Sequence, residues 1–226
     1  MSLKGAFSAP GDKSMSHRIA LVSILARGET RVSNIAPGED VRSSLNAVKL
    51  LGSGVRDDRD TIVVTGAEGV ISKRATVDCG NSGTTMRLLM GILAGRKGEF
   101  ILDGDDSLRR RPMERVAAPL RSMGAHVTCE EGRCPVRIGG GALGGFEYKL
   151  PVASAQLKSA VLFAGIQAEG DTRVIEPVPS RDHTERLLAL LGADISAAGN
   201  SILVRKSSLA LPESFRVPGD ASSAAF

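Results

Sequence analysis

The sequence predicts a mixed α/β (α+β) fold in which one structural unit occurs three times. Two series of glycines recur with nearly the same period. Members of the first series precede strand-like segments and lie 70 and 72 residues apart: Gly28, Gly98 and Gly170. Members of the second series follow amphipathic segments and lie 72 and 68 residues apart: Gly52, Gly124 and Gly192. Because two independent markers share one period, we infer an internal repeat.

Each unit is predicted to begin with a small-residue turn and an apolar helix. The apolar segments are 20–26, 86–94 and 160–168. Because these segments lack a polar face, each helix should be surrounded by other parts of the protein. Three such helices packed together, with sheets outside them, would form a single core.

The rest of each unit is predicted to contain a strand, an amphipathic helix and one or two further strands. In the second helix, apolar residues recur every three or four positions: Val41, Leu45, Val48 and Leu51 in the first unit, and Val116, Leu120 and Met123 in the second. The segments 61–64 and 201–204 are β-branched or apolar and are bounded by polar turns, which predicts strands.

The composition is typical of a folded protein. Hydrophobic residues make up 42% and charged residues 24% of the 226 residues, and the formal net charge of +4 suits acidic partners. Aromatic residues make up 3%, with no tryptophan and one tyrosine, so few side chains could stack on bases. No apolar stretch reaches the roughly 20 residues of a membrane span, and the N-terminus lacks a signal-peptide pattern. We therefore expect a cytoplasmic protein with neither a nucleic-acid nor a membrane partner.

The turns before the apolar helices combine hydroxyl or amide side chains with a cation. These openings are 10–18 (PGDKSMSHR), 80–87 (GNSGTTMR) and 153–159 (ASAQLKS), and their cations are Lys13, Arg18, Arg87 and Lys158. A helix N-terminus presents free backbone N–H groups and a positive dipole end, so convergent openings would bind a ligand with several negative charges. The alternative is that these serines and threonines only cap the helices.

Three consecutive arginines, at 109–111, precede Pro112. We expect the proline to occupy the first position of the next helix. Because a helix N-terminus prefers anions, three positive charges are unfavourable there unless an anionic ligand binds nearby.

The histidines and cysteines are assigned structural roles. Nothing near His17 or His126 forms a triad-like pattern, so we expect helix packing for the first and a surface position for the second. The cysteines are odd in number and scattered, which favours free thiols over disulfides or a metal site: Cys79, Cys129 and Cys134.

The C-terminal segment 215–226 resembles the entry to the first unit, 7–14, including its Pro-Gly-Asp turn. A fourth unit is therefore expected to begin here. We interpret the chain as part of a longer protein.

Six segments, in this order, closely resemble the 5-enolpyruvylshikimate-3-phosphate synthase (3-phosphoshikimate 1-carboxyvinyltransferase) family. They are 10–18 (PGDKSMSHR), 80–87 (GNSGTTMR), 103–113 (DGDDSLRRRPM), 154–160 (SAQLKSA), 180–188 (SRDHTERLL) and 218–226 (PGDASSAAF). The related enolpyruvyl transferases of cell-wall synthesis are a weaker match, because their N-terminal motif has Lys-Asn where this chain has Lys13-Ser14.

The resemblance implies a two-domain fold. Each domain of the family contains three βαβαββ-type repeats about a pseudo-threefold axis, with buried parallel helices, and the active site lies between the domains. Residues 13–215 would form one domain, with repeats of about 13–79, 80–152 and 153–215. The segments 1–12 and 216–226 would be crossover strands of the second domain, most of which this chain lacks.

The resemblance also implies a reaction. The family transfers the enolpyruvyl group of phosphoenolpyruvate to the 5-hydroxyl of shikimate 3-phosphate by addition and elimination, with no metal or organic cofactor. By motif, shikimate 3-phosphate would contact Lys13, Ser14, Arg18, Ser154, Ala155, Gln156 and Ser180. Phosphoenolpyruvate would contact Lys13, Asn81, Gly83, Arg111 and Gln156. Lys13, which contacts both substrates, would be the catalytic residue of this chain.

Two positions depart from the family pattern. Ala155 stands where many members have serine, which removes a side-chain donor but leaves a backbone N–H, and His183 stands where some members have tyrosine. The carboxylates that the family uses for proton transfer belong to the missing C-terminal half, which would be the partner of this chain. The fragment is therefore expected to be inactive alone. The alternatives are a non-catalytic anion-binding module and a different enolpyruvyl transferase, such as that of cell-wall synthesis.

Overall fold

Helices and strands alternate along the computed structural model, which describes residues 9–68 and 70–220. The helices are α1 (Lys13–Val22), α2 (Glu39–Leu51), α3 (Gly83–Ala94), α4 (Asp106–Arg109), α5 (Glu114–Ser122), α6 (Ala155–Gly165) and α7 (His183–Leu190). The strands are β1 (Ala26–Arg27), β2 (Glu29–Ser33), β3 (Gly54–Asp58), β4 (Thr61–Thr65), β5 (Arg74–Asp78), β6 (Glu99–Asp103), β7 (His126–Glu130), β8 (Arg133–Gly139), β9 (Glu147–Lys149), β10 (Thr172–Ile175), β11 (Ile195–Ala198), β12 (Ser201–Val204), β13 (Leu209–Ala210) and β14 (Ser214–Arg216).

Three four-stranded sheets share one plan. Their strand orders are β14-β2-β4-β3, β5-β6-β8-β7 and β9-β10-β12-β11, and β1 and β13 form a separate pair. In each sheet one edge strand is parallel to its neighbour, and the other pairings are antiparallel. The predicted mixed α/β fold with a threefold repeat is confirmed.

The parallel edge strand of each sheet comes from the preceding unit. β5 pairs with β6 and β9 with β10, and the apolar helices α3 and α6 are the crossovers that a parallel pairing requires. The ring is closed by β14, whose Ser214 is opposite Arg31 of β2. This closure was not predicted, because no local pattern relates two segments so far apart in the chain.

The helices that contain the apolar segments form the core, as predicted, but α1 ends at Val22, so the predicted helical segment 20–26 is wrong from residue 23 onward and its last residue, Ala26, lies in β1. All of α3 except Thr84 is buried. α3 and α6 run in the same direction: Gln156 donates to Thr84 Oγ1 across 2.9 Å near their starts, and Gln167 donates to the Ile92 carbonyl across 3.1 Å near their ends. The two helices touch closely, since a Cβ added at Gly91 would lie 2.1 Å from the Ala160 carbonyl oxygen.

The two glycine series have partly different physical causes. The second series ends the amphipathic helices in a left-handed conformation, with φ of +124°, +106° and +89° at Gly52, Gly124 and Gly192. In the first series Gly98 is not left-handed, and an added Cβ there would lie 2.7 Å from the Lys73 carbonyl oxygen. Close approach of the backbone therefore requires glycine at that position.

The predicted start of the fifth helix is wrong by two residues. α5 begins at Glu114, and Pro112 precedes its cap, Met113. The amides of Met113 and Glu114 both donate to the Gly132 carbonyl, at 2.8 and 3.0 Å. The β7–β8 hairpin thus holds this turn outside the helix.

Within residues 9–68 and 70–220, no helix combines the length and apolar character that a membrane crossing requires. The same residues contain no group of three or more histidine, cysteine, aspartate or glutamate side chains placed to hold a metal ion. Cys79, Cys129 and Cys134 are free thiols, as predicted.

Gly91→Ala is expected to lower the free energy of unfolding by about 2–3 kcal/mol, because the new methyl group overlaps the α6 backbone. Urea denaturation would measure the loss. Gly144→Ala is the matched control, since an added Cβ there meets no atom within 4 Å. Equal denaturation midpoints for the two variants would contradict the proposed helix contact.

Candidate functional site

Each of the three apolar helices has a side-chain cap at its start. Asp12 Oδ1 accepts the Met15 amide of α1 at 2.7 Å, and Ser82 and Ser154 accept the amides of α3 and α6 at 3.2 and 3.4 Å. Capping therefore accounts for Ser82 and Ser154, although an oxygen that accepts an N–H keeps its own O–H for a ligand. Because an aspartate caps α1, the Ser14 hydroxyl is not needed as a cap.

Arg18 connects α1 to α6 and α7, both of which belong to the third unit. Its Nε donates to Thr184 Oγ1 at 2.7 Å, its Nη2 to Ser159 Oγ at 2.8 Å, and its Nη1 to the hydroxyl of Ser14. Burial lowers the pKa of Arg18 to about 10, and nearby Glu185 partly offsets this effect. A guanidinium with this pKa is still charged at neutral pH, so the site keeps a fixed positive charge.

Gln156 connects α6 to α3. Its Oε1 accepts Arg87 Nη1 at 2.7 Å, while its Nε2 donates to Thr84. On the opposite side His17 Nδ1 lies 2.8 Å from Ser44 Oγ of α2, which lies 2.7 Å from Thr85 Oγ1 of α3. The three helix starts therefore converge within one hydrogen-bonded ring, as the repeat predicted.

A cluster of arginines surrounds the first residue of α3. A Cβ added at Gly83 would lie 3.1 Å from Arg87 Nη1 and 3.3 Å from Arg111 Nη1. Burial, followed by the positive charges of Arg115 and Arg111, lowers the pKa of Arg87 to about 10. None of these arginines forms a salt bridge with a carboxylate of the described residues. An anion bound beside Gly83 would relieve this repulsion.

The arginine run at 109–111 divides between two roles. Arg109 donates twice to Asp103, at 3.0 and 2.6 Å, which lowers the pKa of that carboxyl group. Arg111 instead donates to the Asn81 side chain, and Asn81 donates to Asp105 across 2.7 Å. An anionic ligand is therefore not needed to explain Arg109, which Asp103 already neutralises, whereas Arg111 forms no salt bridge with a carboxylate of the described residues.

The prediction that Lys158 is a cation for the ligand is wrong. Its side chain is 1% exposed, and Nζ lies 2.8 Å from Glu176 and 2.6 Å from Glu185. Ser180, a predicted site residue, donates both its amide and its hydroxyl to Glu176 Oε1. This cluster could not be predicted from the sequence, because its acidic members follow Lys158 by 18 and 27 positions (176 − 158 and 185 − 158).

The predicted site residues fall into two connected groups. One group lies where α1, α6 and α7 meet: Ser14, Arg18, Ser154, Ala155 and Ser180. The other lies at the start of α3: Asn81, Gly83 and Arg111. Gln156 belongs to both groups, since it contacts Arg87 and follows Ala155, the first residue of α6. Lys13 is half-exposed and forms an ion pair with Asp40 of α2.

Several residues of the ring were not assigned a site role from the sequence. Arg87 was recognised only as a nearby cation, and Asp40, Ser159 and Thr184 were missed. His183 Nδ1 lies 3.1 Å from Ser14 Oγ, so this side chain hydrogen-bonds within the ring. The hydroxyl residues could not be found because single serines and threonines on helices have many ordinary uses.

A cavity formed by the described residues lies away from the ring. It measures 780 Å³ and is lined by the β5–β6–β8–β7 sheet, including Phe100, Ile101 and Ile138. None of the three helix starts lines it. This cavity is therefore not part of the candidate site, which is defined by its converging charges and donors.

The full length of the chain matches one protein family. The sequence profile described as EPSP synthase (3-phosphoshikimate 1-carboxyvinyltransferase) matches residues 1–226. The chain belongs to the EPSP synthase family. It is 48% identical over 229 residues to a 3-phosphoshikimate 1-carboxyvinyltransferase of Desulforudis audaxviator (strain MP104C), and 50% identical over 228 residues to one of Anaeromyxobacter dehalogenans (strain 2CP-C).

Solved EPSP synthase structures have the same fold. One from Acinetobacter baumannii superposes with a TM-score of 0.93 at 44% sequence identity and covers 99% of this chain. The match covers 52% of the Acinetobacter chain and 53% and 51% of the two sequence relatives. The chain thus spans about half the length of the EPSP synthases it matches.

His17 should make the free energy of unfolding of this EPSP synthase family member depend on pH. Burial, followed by the charge of Lys13, lowers the pKa of His17 from 6.5 to about 4. The unfolded chain therefore takes up this proton at a higher pH than the folded chain does. The free energy of unfolding should fall between pH 6.5 and about 4, with His17 contributing about 3 kcal/mol.

The variant His17→Asn should lose less stability than the wild type over this range, as urea denaturation at several pH values would show. Burial also lowers the pKa of His183, but that residue is present in both proteins and its effect cancels. His126→Asn, the same change on the exposed side of β7, is the control and should follow the wild type. Parallel profiles for His17→Asn and wild type would contradict the proposal.

Proposed function

We propose that the chain supplies the shikimate 3-phosphate half of an enolpyruvyl transferase active site. The complete enzyme would catalyse the reaction of phosphoenolpyruvate with shikimate 3-phosphate to give 5-enolpyruvylshikimate 3-phosphate and phosphate. The observation that carries the proposal is the convergence of three helix starts around arginines that no carboxylate of the described residues neutralises. Both substrates are anions with several charges, which such a site suits.

The phosphate of shikimate 3-phosphate would lie where α1, α6 and α7 meet. Ser14 and Ser154 would offer hydroxyl groups, Ala155 its backbone N–H, and Arg18 its fixed charge. Gln156 and Ser180 would complete the contacts to the phosphate and the ring. The intrachain hydrogen bonds of Arg18 support this assignment, because they hold the guanidinium before any ligand binds.

Phosphoenolpyruvate would lie beside Gly83 at the start of α3. Arg111, Asn81 and Gln156 would contact it, and Arg87 would add charge. The absence of a side chain at Gly83 lets an anion approach the backbone N–H groups of the helix start. The repulsion between Arg87 and Arg111 supports this assignment, because an anion would remove it.

Lys13 would contact both substrates and act in catalysis. In the addition step the 5-hydroxyl bonds to the central carbon of phosphoenolpyruvate, its proton is released and the methylene group takes up a proton. In the elimination step phosphate leaves and the methyl group loses a proton, which restores the double bond. A lysine between two anionic substrates stabilises the charge that moves between them. Asp40 holds Lys13 in the absence of substrate.

The predicted domain organisation, with residues 13–215 as one domain, is also proposed. Gly11 and Gly219 form an antiparallel bridge, and the Asp12 amide donates to the Pro218 carbonyl across 2.8 Å. This supports two crossover strands that leave the domain side by side. Residues 1–8 and 221–226, which would continue these strands, lie outside the described residues. The second half of the enzyme would be the partner of this chain, and a cytoplasmic location suits its substrates.

Isothermal titration of the 226-residue chain should show saturable binding of shikimate 3-phosphate and much weaker binding of shikimate, because the phosphate carries most of the charge. Phosphate release from both substrates should be negligible. Ser14→Ala should weaken shikimate 3-phosphate binding about tenfold, the cost of losing a hydrogen bond to a charged group. Ser122→Ala, at an exposed position at the end of α5, is the control. No binding at millimolar ligand, or equal binding of shikimate, would contradict the proposal.

Arg111→Ala should reduce the thermal stabilisation by phosphoenolpyruvate and leave shikimate 3-phosphate affinity close to that of the wild type. The physical reason is the loss of one charge-assisted contact from one substrate only. Arg110→Ala is the control, because this exposed residue is the C-cap of α4 and, unlike Arg111, contributes none of the three atoms nearest to a Cβ added at Gly83. Equal losses for both substrates would assign Arg111 a different role, and no phosphoenolpyruvate effect in the wild type would remove this substrate from the half-site.

A further inference from the structure

A buried ion cluster lies directly behind the candidate site. Lys158 of α6 is 1% exposed, Glu176 is 4% exposed and Glu185 of α7 is 12% exposed. Lys158 Nζ contacts both carboxylates, at 2.8 and 2.6 Å. The lysine therefore joins α6 to the end of β10 and to α7.

Stability alone is a weak explanation for this cluster. Removing charges from water is unfavourable, and the attraction between buried ions often only offsets that cost. Apolar residues at positions 158, 176 and 185 together would fill the same space without burying any charge, whereas replacing Lys158 alone would leave two buried carboxylates unpaired. The ions instead hold the surrounding groups in place, because charged hydrogen bonds fix the positions of the groups that make them.

Glu176 connects Lys158 to Ser180, on the ligand side of the cluster. Its Oε1 accepts the Ser180 amide at 3.2 Å and also accepts the Ser180 hydroxyl, while its Oε2 accepts Lys158 Nζ. Lys158 Nζ additionally lies 3.5 Å from the Ser180 carbonyl oxygen. The loop from 176 to 180 is thus folded around the lysine, and Ser180 is held by its backbone and its side chain.

Glu185 lies between Lys158 and the surroundings of Arg18. It contacts Lys158 directly, and its charge acts on Arg18, whose guanidinium also donates to neighbouring Thr184. Two cations, Lys158 and Arg18, thus face two carboxylates, Glu176 and Glu185. Lys158 pairs with both carboxylates, whereas Arg18 forms a salt bridge with neither, so its positive charge remains available to an anion.

We propose that Lys158 and Glu176 are positioning residues that fix Ser180 and, through Glu185, the start of α7 relative to Arg18. They touch no substrate; they determine where the groups that bind the phosphate stand. This inference rests on the proposed function for its ligand, shikimate 3-phosphate. The position of Ser180, in contrast, can be measured without any ligand.

Glu176→Gln in the 226-residue chain tests the proposal. Lys158 keeps its pairing with Glu185, so the circular dichroism spectrum should not change. Amide hydrogen exchange at Ser180, followed by NMR, should become about tenfold faster, because a neutral amide oxygen accepts these two donors less strongly than a carboxylate. The Kd for shikimate 3-phosphate, measured by titration, should rise about tenfold. Glu169→Gln is the control, because Glu169 forms a surface pair with Lys206.

A double-variant comparison separates positioning from a general loss of structure. Ser180→Ala should raise the Kd, and adding Glu176→Gln to it should raise the Kd little further, because Glu176 acts through Ser180. Multiplied effects in the double variant, or unchanged exchange at Ser180 in Glu176→Gln, would overturn the proposal. If Glu176→Gln does not fold, Glu176→Asp keeps the charge but withdraws the carboxylate, and the same exchange result is expected. A wild-type chain that does not bind shikimate 3-phosphate would contradict the proposed function, while exchange would still decide the role of Glu176.

Discussion

The close packing of α3 on α6 is the constraint on which the rest of the structure depends. Gly91 lies against the Ala160 backbone, so the two helices cannot shift along one another without separating. Both helices start on the same side, and their positive dipole ends are therefore next to each other, which is unfavourable in the absence of negative charge. The core thus dictates both where an anion should bind and why it should bind there.

The groups around the helix starts make this arrangement stable without a ligand. Gln156 occupies the space between α6 and α3 and accepts a hydrogen bond from Arg87, and the hydroxyls of Ser44 and Thr85 extend the ring to α2. Such neutral partners orient the charged groups but do not cancel them. A preorganised set of donors has little left to rearrange when an anionic substrate arrives, which favours binding.

The sequence predicted the features that depend on local patterns. Glycine spacing revealed the repeat, and the apolar segments located the three core helices. The helix starts were identified as anion-binding candidates because their motifs are local as well. Side-chain pairings between segments could not be predicted, even within one unit: nothing near Lys158 indicates that Glu176 and Glu185 neutralise it, and nothing near Arg109 singles out Asp103 over other carboxylates. The start of α5 was misplaced because a tertiary contact with Gly132 overrides the usual preference of proline for the first helical position.

The closure of the first sheet by β14 has a consequence for how the chain folds during synthesis. The pairing of Arg31 with Ser214 spans 183 residues (214 − 31). While the chain emerges from the ribosome, the edge of β2 that pairs with β14 stays unpaired until nearly the whole domain has been made. Contacts of such long range slow folding, and an exposed edge invites pairing with other chains. The first unit, although synthesised first, is therefore the last to be completed.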